Sequence, residues 1–284
     1  MKKSVFENQV IWITGASSGI GEAMAKDFVA RGAQVILTAR RADRLQRLEK
    51  ALNQMPGPSP RAKVLVADLS KLETLPALAG QALTCFGKID VLFNNAGASQ
   101  RSQVADTPFE LEHHLITLDL LSPIALTKAV LPHFILRKQG RILITSSLMG
   151  ELELPGNATY ACVKHGLNGY FYSMAFEVAK LGIQVQVIEP GFVRTEVSQS
   201  AFTASGELWG KMDSAQANGM SAENFSKRAF PGIERGQVMV RVAGIEGVAM
   251  WLKRLSPGLY RHTVRTLGMR ILKDRLKTDA LPKS

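Results

Sequence analysis

The stretch Val10–Gly21, VIWITGASSGIG, constrains this chain more than any other. Its five apolar or β-branched residues read as a buried strand that ends in a glycine-rich turn. A helical pattern, Gly21–Arg31, follows at once. Gly15, Gly19 and Gly21 permit a tight turn and close approach of backbone to a phosphate. The helix N-terminus adds free N–H groups and the positive end of a dipole. The spacing is G-x3-G-x-G rather than the G-x-G-x-x-G of the common dinucleotide fingerprint. Its place between a first strand and a first helix nevertheless reads as a phosphate site rather than a bare turn.

The rest of the chain keeps this alternation. Strands are expected at Gln34–Thr38, Lys63–Ala67, Asp90–Asn94, Arg141–Thr145 and Gln184–Ile188, with a shorter one at Gln237–Val240. Such runs, apolar on both faces, suit a parallel sheet covered by helices on each side. Helices are expected at Asp43–Met55, Leu72–Phe86, Glu110–Lys138 and Ala158–Lys180, and Pro123 and Pro132 should kink or divide the third of these. The pattern implies right-handed crossovers and a doubly wound α/β sheet in a single domain. The segment Thr195–Gly219, rich in Ser, Thr, Ala and Gly, reads as a lid beyond a sheet strand.

Composition narrows the class further. With 46% hydrophobic and 21% charged residues over 284, the chain is neither disordered nor collagen-like. No window approaches the ~18 consecutive apolar residues of a membrane span. The opening residues carry neither the apolar run nor the cleavage site of a secretory signal. Cys85 and Cys162 cannot build a disulfide framework and do not form a metal motif, so a reducing, cytoplasmic location and no metal are expected.

The second strand ends Thr38-Ala39-Arg40-Arg41. A nucleotide with a free ribose 2′-hydroxyl usually meets an acid here, whereas two guanidinium groups suit a 2′-phosphate, so NADP is expected over NAD. Tyr160 and Lys164 lie at i and i+4 on an expected helix, 13 residues after Ser147 at the end of the fifth strand. A tyrosine ordinarily titrates near ~10, and a neighbouring ammonium favours its ionised form. Ser147 can then hold a carbonyl oxygen while Tyr160 donates its proton.

Together these segments resemble the short-chain dehydrogenase/reductase family. The resemblance rests on TGASSGIG at 14–21, Asn94-Asn95-Ala96-Gly97, Ser147, Tyr160 with Lys164, and Pro190-Gly191 followed by Thr195. It implies a Rossmann-type fold and hydride transfer between NADP(H) and a carbonyl or alcohol substrate. Residues 1–240 would form the nucleotide-binding and catalytic domain, and 241–284 a basic helical extension of it. Gly15, Ser17, Gly19 and Ile20 would approach the phosphates and Arg40 the 2′-phosphate. Asp68 would contact the adenine, Asn94 the adenosine ribose, Lys164 the nicotinamide ribose and Thr195 the carboxamide. Ser18, Gly21, Leu69, Asn95, Ala96, Gly97, Tyr160, Pro190, Gly191 and Val193 complete the cofactor-binding set. Family habit also implies a homo-oligomer, a dimer or tetramer.

One position departs from the family. Its helix asparagine, which supports a water chain to the lysine, aligns with Asp119. An aspartate lacks the amide donors, and close to Lys164 it would compete for the ammonium and raise its pKa. This motivates an alternative reading as a nucleotide-binding regulatory or scaffold protein with impaired catalysis.

Other side chains read more plainly. His113 and His114 are expected on a helix surface, His165 in packing, and Cys162 as a buried thiol. Glu151 and Glu153 are candidates to border the substrate mouth, and Met149, Leu152 and Leu154 to wall it. Phe202 and Trp209 either cap the substrate or anchor the loop.

The net charge of +11 is concentrated at one end. From Arg235 onward eleven basic residues face three acidic ones, leaving the body at only +3. Val264, Leu267 and Ile271, with Met269, Leu272 and Leu276, recur near helical spacing among the arginines. The stripe either packs on the domain or a partner copy, the commoner fate, or contacts an anionic membrane as in a peripheral lipid-ketone reductase. Nucleic acid is not expected, since no recognition motif accompanies the charge.

Overall fold

The computed structural model describes residues 4–57, 59–270 and 272. Its strands are β1 (Val10–Thr14), β2 (Gln34–Ala39), β3 (Ala62–Val66), β4 (Val91–Asn94), β5 (Gly140–Thr145), β6 (Ile183–Pro190), the two-residue β7 (Val193–Arg194) and β8 (Met220–Ser221), and β9 (Met239–Val242). Seven of them form one parallel sheet in the order β3-β2-β1-β4-β5-β6-β9. β1 is buried along its whole length, as its uninterrupted apolar run requires of a central parallel strand. The order reverses between β1 and β4, and the crevice at their carboxyl ends is where ligands bind in such sheets.

Two apolar layers cover the sheet. On one face α1 (Gly19–Ala30), α2 (Ala42–Asn53) and α8 (Ala222–Glu234) pack around Phe28, Phe93 and Phe230. Each fully buried aromatic contributes roughly 1.5–3 kcal/mol through the apolar area it removes from water. On the other face lie α3 (Leu75–Phe86), α4 (Phe109–Ile116), α5 (Ser122–Arg137) and α6 (Ala158–Val178), with Leu126, Val130, Phe134 and Phe171 in the core. After the short α7 (Ser214–Ala217) and α8, the chain ends its described part with α9 (Val248–Leu255), α10 (Pro257–Thr263) and a π-helical turn, Val264–Gly268.

Two expectations need correction. The long helix is divided not at a proline but by a π-helical turn, Thr117–Leu121, between α4 and α5. Pro123 follows that turn after one residue, at the point where the helix returns to α geometry, and Pro132 sits within α5 with the freed carbonyl of Lys128 on an exposed position. The last strand begins two residues later than expected. Gly236, at φ +70°, closes α8, and Gln237 N–H donates to Gly232 O in that turn instead of joining the sheet.

Candidate active site

The crevice opens into a cavity of about 710 Å³ that runs from the glycine turn to the C-terminal helices. At its floor the turn is shaped by the backbone. Gly15 (φ +64°) and Gly19 (φ +59°) occupy the left-handed region, and a β-carbon on Gly15 would lie 2.7 Å from Ala96 Cα. Ser18 precedes α1 without a side-chain cap, so the first-turn amides of α1 face the cavity rather than a capping oxygen. Thr14 Oγ1 accepts from the N–H groups of Asn95 (3.0 Å) and Ala96 (3.1 Å), which joins the turn to the end of β4. Asn95 Nδ2 donates to Gly15 O, and its Oδ1 accepts from Thr145 Oγ1. A dinucleotide phosphate fits this cradle sterically and electrostatically.

At the far side of the turn Asp68 accepts two bonds from Ser70, through N–H (3.0 Å) and Oγ (2.8 Å). Burial pushes its pKa up, but these bonds and the Arg40 charge outweigh it and hold the carboxyl below its usual range. Arg40 is exposed at the rim, whereas Arg41 reaches inward to Ser17 Oγ and Ser18 Oγ. Arg41 and Arg44 also clasp Glu196 at 2.8 and 2.7 Å. The Arg44 hydrogen bond, then that of Arg41, holds the Glu196 carboxyl below its ordinary value.

Beyond the turn, Ser147, Tyr160 and Lys164 line the same cavity. Ser147 lies two residues beyond β5 in extended conformation, and its Oγ accepts from Met149 N–H at 3.1 Å, which fixes the hydroxyl position. One turn of α6 separates Tyr160 from Lys164, whose Nζ lies 5.4 Å from the Tyr160 ring centre. Lys164 is buried and donates to Thr145 O at 3.2 Å.

Asp119 meets Lys164 from the opposite wall. The π-helical turn carries its carboxylate inward, where Oδ1 accepts from Ala98 N–H at 2.8 Å. Oδ2 lies 3.6 Å from Lys164 Nζ, an ion-pair distance too long for a hydrogen bond, and is otherwise unpartnered. Gly97 makes room, since a β-carbon there would stand 2.7 Å from that oxygen. Burial pushes the Asp119 pKa up to about 6, more than Lys164 and the Ala98 amide can pull it down.

The end of the cavity away from the glycine turn is apolar. Met149, Leu152 and Leu154 form one wall, Phe202 and Leu208 of the 195–219 loop another, and Ala249, Leu252, Val264 and Leu267 the roof. The loop is closed at its base by the β7–β8 pairing and tied to the body by Arg101, paired with Asp213 at 2.7 Å. Phe202 N–H and C=O bond to Ser99 O and Arg101 N–H, and its ring meets His114 at 5.7 Å.

Of the catalytic and cofactor-binding residues expected from sequence, all but two line this one cavity, among them Ile20, Leu69, Pro190, Gly191, Val193 and Thr195, whereas Trp209 does not reach it. Asn94 turns away under the sheet, where its amide donates to Thr127 Oγ1 at 3.1 Å, because consecutive strand residues face opposite sides. Gly21 packs beneath the turn, with room only for hydrogen against Gly15 O. Cys162 is exposed rather than buried, on the solvent side of α6 beside His165. Glu151 and Glu153 do not border a free mouth; they pair with Arg241 and Lys253 and fasten the C-terminal segment. Val264, Leu267 and Leu272 of the tail stripe face the domain, while Ile271 and Leu276 lie outside the described residues. Sequence reasoning missed Arg44, Glu196 and the Arg101–Asp213 pair, which are brought together from up to 155 positions apart and carry no local signal.

Comparison with known proteins agrees with this geometry. The family profile described as short chain dehydrogenase matches residues 9–206. The mouse protein named dehydrogenase/reductase SDR family member 7B is 34% identical over 275 residues, covering 96% of this chain and 84% of the relative. A short-chain dehydrogenase from Sphingobium yanoikuyae, solved in complex with NADPH, superposes with a TM-score of 0.73 at 26% identity over 97% of this chain and 98% of that one. One from Burkholderia phymatum, in complex with NAD, shares the fold at 20% identity and a TM-score of 0.78, covering 91% of this chain and 96% of that one. Since the profile spans the glycine turn, the Tyr160 helix and the loop beyond Thr195, the chain belongs to the short-chain dehydrogenase/reductase family.

Proposed function

We propose that this oxidoreductase uses NADP(H) and exchanges a hydride with a small-to-medium, largely apolar carbonyl or alcohol. The observation that carries the reading is the convergence of Ser147, Tyr160 and Lys164 on a cavity continuous with the glycine turn. When bound, the nicotinamide supplies or accepts the hydride at the substrate carbon. Ser147 Oγ orients the carbonyl oxygen, and Tyr160 Oη donates the proton to it in the reducing direction. The Lys164 ammonium favours the phenolate that this step leaves behind.

NADP is favoured over NAD by the chain's own residues. The chain carries Arg40 and Arg41 rather than Asp or Glu at the end of β2, which offers guanidinium groups to a 2′-phosphate, and Arg41 binds Ser17 and Ser18 of the turn as well as Glu196. Thr195, at the head of the loop, is the candidate for the carboxamide. Asp119 acts as a positioning residue on Lys164. The exposed Leu136 on α5 and Phe176 on α6 support self-association.

Tyr160→Phe tests the mechanism. Carbonyl-dependent NADPH oxidation should disappear while NADPH still binds; turnover persisting in that variant would overturn it. The Asp119–Lys164 pair favours a second reading, a nucleotide-binding protein of impaired catalysis. It predicts stoichiometric NADPH binding with no oxidation across a broad carbonyl panel, restored by Asp119→Asn.

A further inference from the structure

We propose that the outer face of α9 and α10 docks on an anionic lipid bilayer. α9 is two-sided: Ala249 and Leu252 line the cavity and Met250 is buried, whereas Val248, Trp251 and Leu255 turn outward at i, i+3 and i+7. Those three are 62, 63 and 78% exposed, Ile245 before them is 89% exposed, and Leu259 of α10 is 53% exposed. Five large apolar side chains on consecutive turns, with a tryptophan in the middle, suit the boundary between headgroups and acyl chains. The stripe singled out from sequence, Val264 and Leu267, instead faces the cavity, so this surface is a different one.

The surrounding charge selects the partner. Arg254, Arg261, Arg265 and Arg270 are all exposed. From Ile245 to Arg270 the one carboxylate is Glu246, which accepts from the backbone N–H groups of Phe192 and Gly244. A second copy meeting this face across a two-fold axis would set arginine against arginine. The chain's own residues 273–284 carry four Lys or Arg against two Asp, which is again the same sign. Anionic headgroups supply the opposite charge and the stripe enters beneath them. The surface also adjoins the cavity: Leu154, Leu208 and Leu267 line it and are themselves exposed, so its rim is apolar.

The test is co-sedimentation of the full chain with phosphatidylcholine–phosphatidylserine vesicles and with pure phosphatidylcholine vesicles, at low and high salt. Anionic vesicles should bind about tenfold more protein at low salt, and salt should weaken the preference. Brominated acyl chains should quench tryptophan emission. Trp251→Glu with Leu255→Glu should lower binding about tenfold while NADPH titration is unchanged. Should that variant fail to bind NADPH, Arg254→Glu with Arg261→Glu decides, since it alters exposed charge alone. Equal binding to both vesicle types, undiminished binding of the variants, or dissociation of an oligomer by Trp251→Glu with Leu255→Glu would overturn the proposal. None of these measurements reads turnover, so their failure is distinct from failure of the NADP reading.

Discussion

Asp119→Asn should stabilise the protein, and the gain should follow a defined pH curve. Asparagine keeps the shape and the bond from Ala98 N–H but removes a charge that is buried with one oxygen unpartnered. In the folded protein the Asp119 pKa lies near 6, against an ordinary value of 3.8. A carboxyl whose pKa is raised by folding stabilises the native state only while protonated. Below 3.8 both folded and unfolded chains hold the proton. Between 3.8 and about 6 the unfolded chain releases it first, so wild-type stability falls as pH rises. Each unit corresponds to ~1.4 kcal/mol, which gives a total of ~3 kcal/mol. Urea unfolding of wild type and Asp119→Asn across this range isolates Asp119 together with its partner Lys164, because titrations elsewhere cancel in the difference. The advantage of the variant should grow by ~3 kcal/mol from acid to neutral pH and then level off. A flat difference, or a wild type that gains on the variant as pH rises, would show that Lys164 more than compensates the buried charge. Either result would refute the argument.

Three further outcomes follow from particular contacts. Gly15→Ala should destabilise the fold by about 1 kcal/mol or more and abolish NADPH binding, read by thermal melting and nucleotide titration, because φ is +64° and the added carbon meets Ala96 backbone. Glu196→Gln should tighten NADPH a few-fold at low salt with NADH unchanged, since its carboxylate competes for Arg41 and Arg44; the half-exposed pairs imply a stability change below ~1 kcal/mol. Glu189→Ala should lower stability in urea by about 3 kcal/mol, because a fully buried carboxylate that joins Arg241, Asn168 and Tyr172 is lost and the Tyr172 hydroxyl loses its acceptor.

The sheet and the turn were legible because their signals are local. Val10–Thr14 is apolar on both faces, so it had to be central, and glycine at 15 and 19 answers a backbone conformation that other residues resist. The spacing of Tyr160 and Lys164 is likewise a property of one helix turn. Where a sequence signal misled, the error was one of facing. Asn94 and Asn95 are adjacent, yet strand alternation turns only the second toward the cavity. Cys162 lies on the opposite side from the one expected for the same reason, because burial depends on which neighbour a helix meets.

From sequence alone came the doubly wound class, the glycine turn and the candidate set Ser147, Tyr160 and Lys164, since each depends on chain-local geometry. Only the tertiary structure decided the charges. It set Asp119 against Lys164 in a buried wall, placed Glu196 between two arginines, and turned one face of α9 into the cavity and the other, with Trp251 and Leu255, outward. Coulomb interaction and burial depend on distances through space, and no spacing along the chain encodes them.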